Sequence, residues 1–275
     1  MKREPELHRV ADVPSSPFPT LVDVHAHLEL EPLVRDPAVV VRRAEEAGVS
    51  AIITVGIDKE DARVAIDIVD RFDTVFGCVG FHPHNAKSVC DGDLATMAEL
   101  ARHPKVLGYG EIGLDFFRNH SPHDTQRTVF RDQIALAQEL NKPVVIHLRN
   151  AYKEGLDILE AAAPFPAGGV IHCFSGTKED AHRFVALGFY VSIPGTVTYK
   201  KNDEMRAIVR DLPPDRILLE TDCPFLAPEP LRGRDNEPAF LVHTAAKVAE
   251  ILGISYGEIC QLTTQNAQRL FKLRL

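Results

Sequence analysis

The chain contains no tryptophan, so any stacking surface for a planar ligand must come from phenylalanine, tyrosine, histidine or arginine. Cysteine is sparse. The five residues Cys78, Cys90, Cys173, Cys223 and Cys260 are odd in number, scattered, and form no CxxC pair. That excludes a disulfide framework and a cysteine-rich zinc module, and it fits a reducing cytoplasm. No run approaches the ~18 apolar residues of a membrane span. Residues 1–20 are polar and Pro/Ser-rich without an apolar stretch, so they read as a flexible extension and not as a secretory signal. Positive charge is in deficit: 31 Lys and Arg stand against 39 Asp and Glu, for a net charge of −8. This argues against a broad basic surface for duplex DNA. It leaves room for a nucleic-acid substrate held locally by cations and a few arginines.

What is present is a large apolar content, 45% of 275 residues, enough for one sizeable core. Short apolar runs recur at 21–28, 51–55, 75–81, 105–110, 143–148, 169–173, 189–193 and 216–221. Several are continuous, such as Ala51-Ile52-Ile53-Thr54-Val55, as expected of parallel strands buried on both faces. Helical patterns lie between them. The clearest spans 122–141, with Ser121 as expected N-cap, Pro122 at the first helical position, and Phe130, Ile134 and Ala137 on one side. Ser255 followed by Glu258 announces a C-terminal helix. No repeat or linker divides the chain. Strands alternating with helices predict a single-domain TIM (β/α)8 barrel over 21–275, with a doubly wound open sheet as the alternative.

Polar residues gather at the strand ends, which form one rim in a barrel. Asp23-Val24-His25-Ala26-His27 closes the first strand. Strict alternation would put Asp23, His25 and His27 on one face, with Val24 and Ala26 on the other. Glu111 follows the fourth strand, His147 the fifth, His172 the sixth, and Glu220-Thr221-Asp222 the eighth. Four histidines and two carboxylates exceed one tetrahedral site and suit two divalent cations about 3.5–4 Å apart. Glu111, between the His25/His27 side and the His147/His172 side, is the expected bridge. Asp222 is expected both to bind a cation and to accept the proton of an attacking water. Asp23 reads as a carboxylate orienting an imidazole, Asp115 as a structural or outer partner, and Glu220 as loop-fixing. His82 and His84 either contact a phosphate or leaving oxygen, or serve as polar caps of a Pro-containing loop. Arg118, Arg127, Arg149, Lys200, Lys201, Arg232 and Arg234 lie near strand ends; of these, Arg149, Arg232 and Arg234 are taken as candidate phosphate contacts. Phe116, Phe117, Phe174, Tyr199 and Phe225 are candidate stacking residues.

Taken together the motifs resemble those of the TatD family of metal-dependent deoxyribonucleases, within the amidohydrolase-like barrels. They are Asp23-Val24-His25-Ala26-His27-Leu28, Gly80-Phe81-His82-Pro83-His84, Gly110-Glu111-Ile112-Gly113-Leu114-Asp115, Pro143-Val144-Val145-Ile146-His147, Ile171-His172-Cys173-Phe174-Ser175-Gly176 and Glu220-Thr221-Asp222-Cys223-Pro224. Arg232-Gly233-Arg234-Asp235-Asn236-Glu237-Pro238 continues the series, and the resemblance covers nearly all of 21–272. It implies one cation on His25, His27, Glu111 and Asp222, and a second on Glu111, His147 and His172. The metal remains open among Zn, Mn, Mg, Co and Ni. The implied activity is hydrolysis of DNA phosphodiesters from the 3′ end of single strands. Leu148-Arg149-Asn150 and Cys223 depart from the Ser-Arg-Asp and Ser common in the family, without removing a ligand. The alternatives are a binuclear hydrolase of a small ester, lactone or amide, a D-aminoacyl-tRNA deacylase, or a non-catalytic barrel.

Overall fold

A computed structural model describes residues 20–275, so the expected extension over 1–20 lies, apart from Thr20, outside the described residues. Eight strands alternate with helices: β1 (Leu21–Ala26), α1 (Pro37–Glu46), β2 (Val49–Gly56), α2 (Lys59–Arg71), β3 (Val75–Val79), α3 (Asp93–Ala101), β4 (Val106–Asp115) and α4 (His123–Glu139). They continue with β5 (Val144–Arg149), α5 (Tyr152–Ala162), β6 (Gly169–Ile171), α6 (Lys178–Ala186), β7 (Tyr190–Ile193), α7 (Asp203–Asp211), β8 (Ile217–Leu219), α8 (Leu241–Leu252) and α9 (Tyr256–Phe271). The strands pair in sequence order, all parallel, from β1 to β8. The barrel is closed just past β8: Ala26 bridges Cys223, Asp222 N–H donates to His25 O (2.9 Å), and His27 N–H donates to Cys223 O (2.8 Å). The closing bonds therefore run through the residues expected to bind metal.

Local sequence explains the helices. Asp58 and Thr177 accept the N-terminal amides of α2 and α6, and Ser255 with Glu258 forms the expected capping box on α9. α2 buries Ala62, Ala65, Ile68 and Val69, a stripe at helical spacing. Ser121, expected to cap α4, does not: α4 begins at His123 without a side-chain cap. The Ser121 hydroxyl instead donates to His84 O (2.7 Å) and accepts from Lys87 N–H (3.0 Å), tying down the loop after β3. Two buried glutamines of α4 hold other loops. Gln133 caps both backbone groups of Phe81, and Gln126 accepts from Asp115 N–H (2.8 Å) while donating to Asp115 O and Ser121 O.

One apolar cluster joins Val22, Val24, Ile53, Cys78, Val145 and Leu218 to Leu270, Phe271 and Leu273 at the end of the chain. Strands from around the barrel meet there only through its interior, so the last turn of α9 and Leu273 close its lower end. Ala26 belongs instead to the larger cluster between strands and helices. Val24 and Ala26 thus face opposite ways, contrary to simple alternation. The reason is a register shift: Asp23 pairs with Ile52 and Ala26 with Thr54, so β1 carries an extra residue between them.

A similar irregularity sets β4. It runs five residues beyond the expected end at 110, and its register against β5 shifts between Gly110 and Ile112. Glu111 is the bulged residue, which re-aims its side chain. At Gly110 (φ +153°) and Gly113 (φ +149°) a Cβ would stand 2.4 Å from Val145 O and 1.9 Å from His147 O. Only glycine lets β4 approach β5 this closely.

Candidate metal centre

Glu111 is buried at the centre of the upper barrel, and its two oxygens face different groups. Oε2 lies 3.3 Å from His25 Nε2 and 3.9 Å from His27 Nε2. Oε1 lies 2.7 Å from His147 Nδ1, 3.4 Å from His172 Nε2 and 3.5 Å from His82 Nε2. Asp222 Oδ1 completes the first side, 3.6 Å from His27 Nε2, and reaches toward His172 Nε2 at 3.9 Å. Four compact donor groups result among the described residues: His25/His27/Asp222, His82/Glu111/His147, His25/His172/Glu220 and His172/Cys173/Asp222. All six expected ligands converge. Asp222 adopts φ +55° and Cys173 φ +45°, uncommon values for residues with side chains and of the kind met at functional sites.

The outward nitrogens decide whether the donors fit a cation. His27 Nδ1 meets Glu29 Oε1 (2.8 Å) and Val55 O (3.1 Å). His172 Nδ1 meets Glu220 Oε2 (3.2 Å), and His147 Nε2 meets Asp115 Oδ2 (3.2 Å). With the ring proton given outward to an acceptor, each imidazole turns a lone pair inward, the arrangement of carboxylate-backed metal ligands. His25 Nε2 and His27 Nε2 then stand 3.2 Å apart beside two carboxylates. Lone pairs and carboxylate oxygens packed this closely fit a divalent cation. Burial raises the Glu111 carboxyl, but when no cation is bound surrounding imidazoles, His172 foremost, take up protons, and their positive charge holds it well below its ordinary range.

His82 behaves differently. Its Nδ1 accepts the His84 N–H (3.1 Å), so the neutral ring carries its proton on Nε2, facing Glu111 Oε1. Burial lowers its pKa to about 4 and keeps it neutral. His82 is therefore arranged to donate into the centre. His84 Nε2 reaches the Asp115 Oδ2 oxygen at 3.0 Å.

Asp23 departs from expectation. It touches no imidazole; its carboxylate accepts Thr221 N–H (2.9 Å), the Thr221 hydroxyl (2.5 Å) and His25 N–H (3.4 Å). The register shift turns it away from the rings and onto the segment after β8, where it pins β1 to the Asp222 loop. Burial pushes this carboxyl up to about 7, opposed by the Thr221 hydrogen bonds. Glu220, read from the sequence as loop-fixing, has a second role: one oxygen accepts Cys173 N–H (2.7 Å), and the other backs His172.

Sequence reasoning missed Glu29, Thr54 and Asn236. Glu29 backs His27 and accepts the Thr54 hydroxyl (2.7 Å). It continues the odd-numbered series of Asp23, His25 and His27, a usable signal that stops short because β1 ends at Ala26. Buried Asn236 donates to Thr221 O and Phe225 O, bracing the Asp222 loop. Of the arginines, Arg149 is exposed with its guanidinium 4.1 Å from the Phe117 ring centroid, and Arg232 lies 4.3 Å from that of Tyr199. Arg234 is exposed in the same loop as Arg232. Arg127 is engaged by Asp124 and Glu154.

An eight-stranded parallel barrel with carboxylate-backed histidines at its C-terminal rim defines the class of metal-dependent barrel hydrolases. The family described as "TatD related DNase" matches residues 22–272, and the chain belongs to that family. It is 40% identical to the uncharacterized metal-dependent hydrolase YabD of Bacillus subtilis, over 92% of this chain and 99% of that one. It is 36% identical to the 3′-5′ ssDNA/RNA exonuclease TatD of Erwinia tasmaniensis, over 92% of this chain and 100% of that one. The crystal structure of the TatD homologue YjjV from Escherichia coli superposes with a TM-score of 0.88 at 29% identity, covering 92% and 98% of the two chains. Among the described residues no helix is long and apolar enough to cross a membrane.

Proposed function

We propose that residues 21–275 form one catalytic domain, a cytoplasmic deoxyribonuclease that removes nucleotides from the 3′ end of single-stranded DNA using two divalent cations. The observation that carries this reading is the divided Glu111 carboxylate, one oxygen toward His25 and His27, the other toward His147 and His172. His25, His27, Glu111 and Asp222 would hold one cation, and Glu111, His147 and His172 the other. When bound, the cations supply Lewis acidity at a phosphoryl oxygen and acidify the attacking water.

The chain's own residues do the rest. Asp222 lies on the His27 side of the centre, and its carboxylate takes the proton of the attacking water. His82 Nε2–H, held neutral, donates toward the leaving oxygen. Glu29, Glu220 and Asp115 fix the ring orientations of His27, His172 and His147, so little reorganisation accompanies the reaction. His84, Arg149, Arg232 and Arg234 contact the phosphates of the strand.

The test is turnover of end-labelled single-stranded DNA with Mg, Mn, Zn or Co, beside a panel of small esters and lactones. Stepwise shortening from the 3′ end supports the reading. No cutting with any cation, together with good hydrolysis of an ester or lactone, overturns it in favour of a small-molecule hydrolase.

A further inference from the structure

The rim carries two aromatic rings that the metal chemistry does not use. Among the described residues, the exposed large hydrophobic side chains are Val64, Phe117, Phe225 and Leu275, and Phe117 and Phe225 are both about half exposed. Both aromatics follow strands that deliver metal-centre residues. Single exposed apolar side chains are ordinary, so it is the placement of these two beside the metal centre that carries the argument.

Phe117 is held in place by Asp115. Oδ1 of that carboxylate accepts Phe117 N–H (2.9 Å) and Arg118 N–H (2.8 Å), while Oδ2 meets His147 and His84. One side chain thus ties the backbone at Phe117 to two histidines of the rim. Its neighbour Phe116 is packed, stacked on His123 with centroids 3.9 Å apart. Phe117 instead turns outward and carries two guanidiniums, Arg149 at 4.1 Å and Arg118 at 5.7 Å from its centroid. Phe225 lies beyond β8, its N–H donating to Asp222 O (2.9 Å) and its carbonyl held by Asn236. Its ring stands edge-on to His27, centroids 6.2 Å apart. The two rings therefore flank the centre from the β4–β5 side and from the β8–β1 side.

We infer that Phe117, with Arg149 and Arg118, and Phe225 are two nucleobase-stacking platforms, one on each side of the scissile phosphate. This rests on the phosphodiesterase reading above and deepens it. A phenyl ring offers stacking without hydrogen-bond readout, so the platforms take any base. The guanidiniums beside Phe117 add cation–π contact and bind the adjoining phosphate. A base in a duplex is already stacked and paired and has no free face to offer. The rings thus make strandedness, not sequence, the property this rim selects.

The absence of tryptophan makes the test direct. Phe117→Trp and Phe225→Trp each introduce a sole indole, here into full-length, metal-loaded protein that also carries Asp222→Asn to prevent turnover. The probes are a short oligothymidylate and the same strand with single abasic residues. Each indole is expected to be quenched by the intact strand and to recover when one position, different for the two rings, is abasic. In binding assays, removing that base should weaken the Phe protein about 5- to 100-fold. Phe117→Ala and Phe225→Ala should each lose the penalty at their own position. Tyr should restore it, and Leu should not.

An undiminished abasic penalty in both Ala variants, while the parent enzyme still cuts single-stranded DNA, overturns the platforms and leaves the nuclease intact. A parent that neither binds nor cuts single-stranded DNA overturns the nuclease and the platforms with it.

Discussion

Replacing Gly113 by alanine tests whether the close approach of β4 to β5 builds the site. Gly113 pairs with His147, and an added Cβ would stand 1.9 Å from His147 O, 2.9 Å from its carbonyl carbon and 3.1 Å from its nitrogen. All three are backbone atoms, so no rotamer change relieves the clash. Restoring ordinary contact requires a displacement of about 1.5 Å between the strands. Ladder hydrogen bonds on either side then stretch out of range, leaving buried groups unpaired at about 1–3 kcal/mol each. Two such groups, with the unfavourable backbone angle, make a loss of about 4–6 kcal/mol, at the upper end for single substitutions. For a chain of this size that lowers the melting temperature by roughly 10–20 °C. His147 moves with β5, so metal content should fall as well. Urea unfolding followed by far-ultraviolet circular dichroism measures the first effect, and metal analysis after dialysis the second. A loss below about 1 kcal/mol with unchanged metal content would refute the argument that this contact fixes Glu111 and His147.

Asp222→Asn should retain much of the metal but lose at least about 100-fold in turnover, because an amide cannot accept the water's proton; parent-like turnover removes Asp222 as the base. Glu111→Gln should release both cations together, since one carboxylate faces both sides of the centre; loss of only one cation argues against the bridge. Arg149→Ala should weaken DNA binding and make its salt dependence shallower by about one unit, measured in an Asp222→Asn background; an unchanged slope removes Arg149 from the phosphate contacts. Exposed Cys90 should react quickly with a thiol reagent, whereas Cys78, whose pKa burial pushes up to about 12, should react only on unfolding; fast labelling of Cys78 in the native protein contradicts that burial.

Much of the site was legible because its signals are local. His25 and His27 lie two residues apart, and His147 and His172 end short apolar runs. Parallel strands buried on both faces leave such runs in the sequence. Capping residues are equally local, and Ser255 with Glu258 was readable for that reason. Ser121 shows the limit. Its hydroxyl satisfies the cap pattern, yet the loop after β3 offers His84 O and Lys87 N–H as competing partners, and those contacts join residues far apart in sequence.

What the sequence by itself determined is the inventory: the strand–helix alternation, the barrel order and the six candidate ligands at the strand ends. Each follows from periodicity and the chemistry of neighbouring residues. The tertiary structure alone decided how those residues are aimed. The extra residue in β1 turns Asp23 from the imidazoles to Thr221, and the bulge in β4 turns Glu111 into the centre. A register shift exists only between two strands, so neither sequence segment contains it. The pairing of His172 with Glu220 and of His147 with Asp115 likewise depends on the barrel bringing the ends of β4, β5, β6 and β8 to one rim, whereas Glu29 lies only two residues from His27. That separation has a physical cause: backbone period is a property of adjacent residues, whereas hydrogen-bond partners across a barrel are chosen by which strands lie side by side.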